Sequence, residues 1–212
     1  MPPIIRQARI TDIEPTARLI AAAFNNLDAA RWLVPDAGRR PTVLAANFRI
    51  LVEHALLFGL VDIIDDGPIS DDSDVRLHVA NTGPAAVAVW FDRTEPLPEP
   101  GYYDLRLEAA TGNDVDHFKF LDKLFAEHHP AEPPHDHLAL LAVDPPYQGC
   151  GLGTALLNHH HTQRPDTPAY LEASSPRSRD LYMRFGYQVL KTISLPNGTK
   201  FWLMWRAANS AN

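Results

Sequence analysis

The stretch that most constrains this chain runs from Leu141 to Thr154, Leu-Ala-Val-Asp-Pro-Pro-Tyr-Gln-Gly-Cys-Gly-Leu-Gly-Thr. An apolar strand over His137 to Val143 leads into it, and a helix from about Gly153 to Gln163 leads out. Between them, Gly149, Gly151 and Gly153 let backbone N–H groups turn toward one point. The following helix adds the positive end of its dipole. Such a turn suits phosphate oxygens. Glycine used only for the geometry of a tight strand–helix turn is the plainer alternative. The near absence of polar residues in His137 to Val143 predicts a central strand buried on both faces.

The spacing of the glycines narrows the class of phosphate site. A dinucleotide fingerprint needs Gly-x-Gly-x-x-Gly, and Thr154 stands where its third glycine belongs. Glu172 does fall at a distance such a site would accept. A Walker loop is excluded, because no Gly-Lys-Ser/Thr follows. The pattern Gln148-x-x-Gly151-x-Gly153 instead resembles the Gln/Arg-x-x-Gly-x-Gly/Ala pyrophosphate loop of GNAT acetyltransferases. A second element at the expected distance, Leu181-Tyr182-Met183-Arg184-Phe185-Gly186-Tyr187, is similar to that family's Leu-Tyr-x-x-x-Gly-Phe, with Tyr187 in place of phenylalanine. Together they cover about Leu138 to Ile193. Three further stretches, Ala21–Phe24, Ala85–Trp90 and Tyr170–Arg177, are similar to puromycin N-acetyltransferase-like members.

The resemblance implies an α/β GNAT fold: a mixed, mostly antiparallel twisted sheet with a V-shaped opening between its central strands and helices on both faces. It implies one domain over 1–212, with acceptor-side elements in 1–135 and an acetyl-CoA-binding core in 137–193. In that family pantetheine fills the opening beside the strand that carries Leu141, Ala142 and Val143. Leu141 N–H would polarise the thioester carbonyl and Val143 would hydrogen-bond pantetheine. Gln148, Gly149, Cys150, Gly151, Leu152, Gly153 and Thr154 would hold the pyrophosphate. A neutral Gln148 leaves more of that binding to backbone amides. Tyr182, protonated at neutral pH with an ordinary pKa of ~10, is the candidate acid for the departing thiolate. Ser175 either contacts pantetheine or caps the helix that starts near Pro176. Glu172 is the candidate general base, with His137 and Asp92 as competitors, and is otherwise a buried structural carboxylate. An acyl-Cys150 intermediate is disfavoured by its place in a phosphate turn. The implied reaction is direct transfer of acetyl from acetyl-CoA to a primary amine of a small molecule, in a ternary complex and without a metal. Trp32, Trp90, Phe91, Tyr102 and Tyr103 are candidate walls of the acceptor pocket. Two other readings stay open: an acyl-CoA sensor that does no chemistry, and an enzyme using NAD or ATP.

Composition agrees with a globular chain of 212 residues, 45% hydrophobic and 21% charged. Its formal charge of −7 speaks against nucleic acid as a partner. Cys150 is the only cysteine, which fits a reducing cytoplasm. No signal-like N-terminus and no contiguous apolar run of ~18 residues is present, so no membrane partner is expected. A monomer or homodimer is anticipated. The ten histidines cluster at 128–129, at 135 with 137, and at 159–161. Without a cysteine pair or His-Glu-x-x-His they read as solvated helix ends and loops.

Elsewhere, Ile4 to Ala8 reads as a strand, and Thr11-Asp12-Ile13-Glu14 as a capping box opening a helix to Phe24. Helical spacing predicts Pro41 to Phe58 and Asp114 to His128. Asp65 to Asp74 and Thr94 to Gly101 read as loops. Val75 to Ala80 and Ala85 to Phe91 read as strands of a hairpin turning at Asn81–Pro84. Ala169 to Ala173, Val189 to Ile193 and Phe201 to Trp205 are strand-like, the last two joined at Pro196-Asn197-Gly198. Arg177 to Phe185 is helical, with Gly186 as its C-terminal glycine.

Overall fold

The computed structural model describes residues 3–65 and 83–208. Its elements in chain order are β1 (Ile5–Gln7), α1 (Ile13–Phe24), α2 (Asp28–Leu33), α3 (Arg40–Phe58), β2 (Gly59–Asp65), β3 (Pro84–Asp92), α4 (Tyr103–Thr111), α5 (Val115–Ala126), β4 (Asp136–Val143), α6 (Leu152–Gln163), β5 (Ala169–Ala173), α7 (Pro176–Arg184), β6 (Gln188–Ser194) and β7 (Lys200–Arg206). The expected strand at Val75 to Ala80, and most of the loop before it, lie outside the described residues.

Among the described residues the strands form one seven-stranded sheet in the order β1-β2-β3-β4-β5-β7-β6. Every neighbouring pair is antiparallel except β4 and β5. That parallel pairing is short. It joins Asp136–Leu138 to Ala169–Leu171 and stops, while β4 continues to Val143 and β5 to Ala173. Beyond Leu138 and Leu171 the two strands part, and the sheet opens into a V as expected.

Helices cover both faces. On one face, Leu19 and Ile20 of α1, Leu44 and Val52 of α3, and Leu107 of α4 pack on Val61, Ile63, Val87 and Val89 of the sheet. On the other, Leu156 and Leu157 of α6 and Tyr182 of α7 pack on Ala86, Ala88, Trp90 and Leu171. β3 supplies both layers by simple alternation, and it is buried from Pro84 to Phe91. The same two-sided burial was expected of β4, but there burial alternates. Asp136, Leu138, Leu140 and Ala142 are buried and the residues between them only half-buried. The cause is the V: the β5 side of β4 borders a cavity instead of a strand.

A bulge sets which groups reach that cavity. Val89 pairs with Leu140 and Trp90 with Leu138, so Ala139 is unopposed. Leu138 therefore packs with the α6 layer, whereas Leu140 and Ala142 pack with the α1–α3 layer.

Three elements differ from the sequence reading by being present at all: α2, β2 and α4. The expected capping box also fails. Asp12, not Thr11, accepts the exposed backbone N–H, from Arg9 at 2.6 Å. Arg6 of β1 fixes that carboxylate at 2.8 Å, and the guanidinium holds the Asp12 pKa below its ordinary value despite partial burial. By length and composition α3 is apolar enough to cross a membrane, with 19 residues and a mean hydropathy of 1.2. It buries Arg40, Asn47 and His54 together with its apolar residues. Arg40 donates to Val34 O and Pro35 O at 2.7 and 3.0 Å, as a core helix fixing a loop would.

Candidate active site

A cavity of about 1740 Å³ runs from the glycine loop through the V to the underside of α1, α3 and α5. Its central wall is β4. Asp144 N–H donates to Ala85 O, toward β3, at 2.9 Å. Strand alternation then turns the N–H and C=O of Leu141 and Val143 the other way, into the gap left by β5. Val143 O confirms the direction, because it accepts from the Gln148 side-chain amide on that side at 3.2 Å. Gln148 thus ties the loop to the strand.

The loop itself has the backbone its sequence demands. Gly149 and Gly151 have φ of 89° and 84°, the left-handed region that glycine tolerates. A Cβ on either would meet nothing within 4 Å, so the loop opens onto free space. Gly151 is the residue before the first turn of α6. The N–H groups of that first turn have no intrahelical acceptor and carry the positive end of the dipole. The residues present therefore fit a pyrophosphate. Cys150 is exposed in this turn.

β5 and α7 supply the side chains. Tyr182, 7% exposed, packs among Leu156, Leu171 and Tyr187 and borders the cavity. Burial raises its pKa, so the phenol stays protonated. Ser175 caps α7: its Oγ accepts from Ser178 N–H at 3.1 Å, and Ser178 Oγ accepts from Ser175 N–H at 3.1 Å. Ser175 also borders the cavity.

Glu172 is the first residue of β5 beyond its pairing with β4. Its side chain is 5% exposed and sits at the mouth of the V. His137 Nε2 donates to Glu172 Oε2 at 2.9 Å. His129, on the turn after α5, brings Nδ1 to 3.9 Å from Glu172 Oε1, and that oxygen makes no hydrogen bond among the described residues. Burial pushes the carboxyl up, but His137 and His129 outweigh it and bring it down to about 2. Behind His129 stands His135, with their Nε2 atoms 3.1 Å apart. Burial holds both of these imidazoles below their ordinary pKa.

The opposite face of β4 carries a second cluster. Asp136 Oδ2 accepts from His160 Nε2 at 3.0 Å and from Arg164 Nε at 2.7 Å. Trp90 stacks on His160 with ring centroids 3.6 Å apart. Arg164 also bonds Asp92 at 2.9 Å. Asp92 is therefore an ion-pair partner outside the cavity lining, not a competitor for the base. His135, His160 and His161 are buried and His129 and His137 half-buried, so the solvated reading of the histidine clusters is wrong for these five. Each is held by an aromatic or carboxylate neighbour that sequence spacing could not reveal.

Of the expected acceptor walls, Phe91 and Tyr103 line the cavity. Trp90 faces the α6 layer instead. Trp32 lies outside the lining, stacked on His117 at 4.5 Å. Tyr102 is 83% exposed. Phe24, Phe48, Leu97 and Phe125 complete an apolar wall that the sequence reading missed.

Comparison with known proteins agrees with this architecture. A family model described as an acetyltransferase (GNAT) domain matches residues 120–189. A Corynebacterium glutamicum structure described as histone acetyltransferase HPA2 and related acetyltransferase is 28% identical, with a TM-score of 0.71, covering 100% of this chain and 99% of that one. Arylalkylamine N-acetyltransferase 2 from Aedes aegypti superposes with a TM-score of 0.61 at 13% identity, covering 97% of this chain and 99% of that one. Mosquito arylalkylamine N-acetyltransferase like 5b gives 0.59 at 17%, covering 96% and 98%. At such identities these two show the fold alone. Residues 120–189 match a GNAT acetyltransferase domain, and the chain has the fold of that family.

Proposed function

We propose that this protein is an N-acetyltransferase that moves the acetyl group of acetyl-CoA directly to a primary amine of a small molecule, with both substrates bound. One observation carries the reading. β4 and β5 part at Leu138 and Leu171, leaving the Leu141 and Val143 amides turned into a gap between an anion-ready loop and Glu172.

Each end of the gap has its task. The amides of Gly149 and of Gly151 to Thr154, Leu152 among them, hold the pyrophosphate with the dipole of α6, while Cys150 N–H closes the turn on Tyr147 O at 3.3 Å. Val143 N–H orients the pantetheine arm, with Ala142 anchoring the strand in the core and Ser175 on the far side. Leu141 N–H stabilises the charge that develops on the thioester oxygen. Glu172 attracts the ammonium and orients His137 by their hydrogen bond, and the imidazole takes the proton. The freed nitrogen forms the new C–N bond to the acetyl carbon as the C–S bond breaks. Tyr182 gives its proton to the departing sulfur. The apolar wall of Phe24, Phe48, Phe91 and Phe125 suits an amine carried on an apolar body. That two proteins of this fold are named arylalkylamine N-acetyltransferases supports the choice. We take the whole chain, 1–212, as one domain, with its acceptor side in 1–135 and its acetyl-CoA core in 137–193, acting as a monomer or homodimer in a reducing cytoplasm.

The test is release of CoA from acetyl-CoA with a panel of amines. Release that depends on the amine, and is faster for arylalkylamines than for polyamines, is expected. Thermal stabilisation by CoA with no turnover on any amine would replace the transferase with a sensor. Stabilisation by NAD or ATP instead of CoA would overturn the family of ligands altogether.

A further inference from the structure

We propose that His129, His137 and Glu172 form a binding site for a divalent transition-metal ion, with zinc the ion best suited to its donors. One ligand atom from each of the three lies within 4.8 Å of the others. Zinc bonds of about 2.0–2.2 Å in a tetrahedral site place ligand atoms roughly 3.3–3.6 Å apart. The three side chains thus need only small rotations to close on an ion. Two imidazoles and a carboxylate, with no thiolate, are a donor set that zinc and its neighbours accept.

The hydrogen bonds around His129 turn its lone pair toward Glu172, and binding of the ion displaces the proton that His137 Nε2 gives to Glu172. Pro133 O can only accept, so His135 donates to it from Nδ1, at 2.8 Å. Neutral His135 then offers Nε2 as an acceptor. His129 fills it by donating from its own Nε2, 3.1 Å away. This fixes the His129 tautomer and leaves Nδ1 as a lone pair facing Glu172 Oε1 at 3.9 Å. Two acceptors thus face each other. One is a carboxylate oxygen that makes no hydrogen bond among the described residues, on a side chain 5% exposed, with the Tyr170 hydroxyl as a further neighbour of Glu172. A cation between them satisfies both. An imidazole oriented through its second nitrogen is also how proteins commonly prepare a metal ligand.

Access comes from the cavity, which all three residues line. Three protein ligands plus one position open to a cavity describe an exchangeable or reactive site, not a closed structural one. Binding of the ion needs only these side chains and does not depend on acetyl transfer. It bears on that reaction, because Glu172 cannot hold a metal and an acceptor's ammonium at the same oxygen. Zinc is therefore expected to inhibit turnover, and a chelator to restore it.

The experiment is titration of tag-free, chelator-treated protein with Zn²⁺ by calorimetry and with Co²⁺ by its visible ligand-field bands. One ion per chain with a Kd of about 1 μM or tighter is expected. His129→Ala, His137→Ala and Glu172→Gln should each weaken it at least ~10-fold, while His159→Ala leaves it unchanged. Thermal melts establish that each variant is folded, and the near-isosteric Glu172→Gln serves if a histidine variant is not. Absence of binding, or binding that survives both His137→Ala and Glu172→Gln, overturns the proposal. Zinc binding without acetyl transfer would sustain this site and sink the transferase reading. Acetyl transfer without zinc binding would do the reverse.

Discussion

Asp136 and His137 are neighbours in the chain, lie on opposite faces of β4, and each anchors a cluster of histidine and carboxylate. On the α6 face, Asp136 accepts from both His160 and Arg164 and is 2% exposed. On the cavity face, His137 satisfies one oxygen of Glu172 and the other makes no hydrogen bond among the described residues. Residue type does not separate the two. Saturation does. A carboxylate oxygen that takes two donors from within the fold holds it together, whereas a buried carboxylate oxygen at a cavity without a hydrogen bond among the described residues has capacity for a ligand.

Removing Asp136 should break the first cluster with the largest effect on the fold. Asp136→Ala leaves His160 and Arg164 without their shared acceptor and should cost about 3 kcal/mol or more of unfolding free energy, measured by urea denaturation. A loss below about 1 kcal/mol would mean that this cluster, too, is not structural. Tyr182→Phe sharpens the other side. The two side chains pack alike, so stability and CoA affinity should persist. Loss of the proton donor should lower kcat toward the smaller end of the ~10²–10⁴-fold range for acid catalysis. A kcat unchanged while acetyl transfer limits the rate would make Tyr182 a packing residue.

The smallest effect is a pH dependence confined to the closed face. Burial first, then the positive charges of Arg206 and His160, hold His161 down to about 3, and Tyr187 O–H donates to its Nε2 at 3.3 Å. The unfolded chain takes up this proton near pH 6.5 and the folded chain does not. Stability is thus complete above pH ~6.5 and falls as the pH drops below it, by up to ~1.4 kcal/mol per unit. His161→Leu should flatten the curve by that slope between about pH 6 and 5. Parallel curves for the two proteins would show that His161 is protonated when folded.

The catalytic half was legible because its signals are local. Gly149 and Gly151 need left-handed backbone, and β4, α6 and β5 follow from that loop with boundaries shifted by a residue at most. Ser175 was recognisable as a cap and Gly186, with φ of 82°, as a helix terminator. The failures are of three physical kinds. β2 follows α3 without a break at Gly59, so a change of period inside one apolar run had no punctuation to mark it. α4 buries only Leu107 and Thr111, too little for an apolar stripe. The histidine clusters failed for another reason: His129 meets His137 and Glu172 only because β4, β5 and the turn after α5 converge, and no spacing along the chain encodes that. Glu172 was nameable from its place after β5; its open oxygen was not.

The central claim is that the unsaturated cluster is the reactive one, and Glu172→Gln tests it most directly. Measured on metal-free protein with an accepted amine, kcat for acetyl transfer should fall by ~10²-fold or more. The urea midpoint and CoA affinity should stay close to wild type. A kcat within about twofold of wild type, or a loss of stability as large as that of Asp136→Ala, would contradict it. In either case Glu172 would be no more than the structural carboxylate that its neighbour Asp136 is.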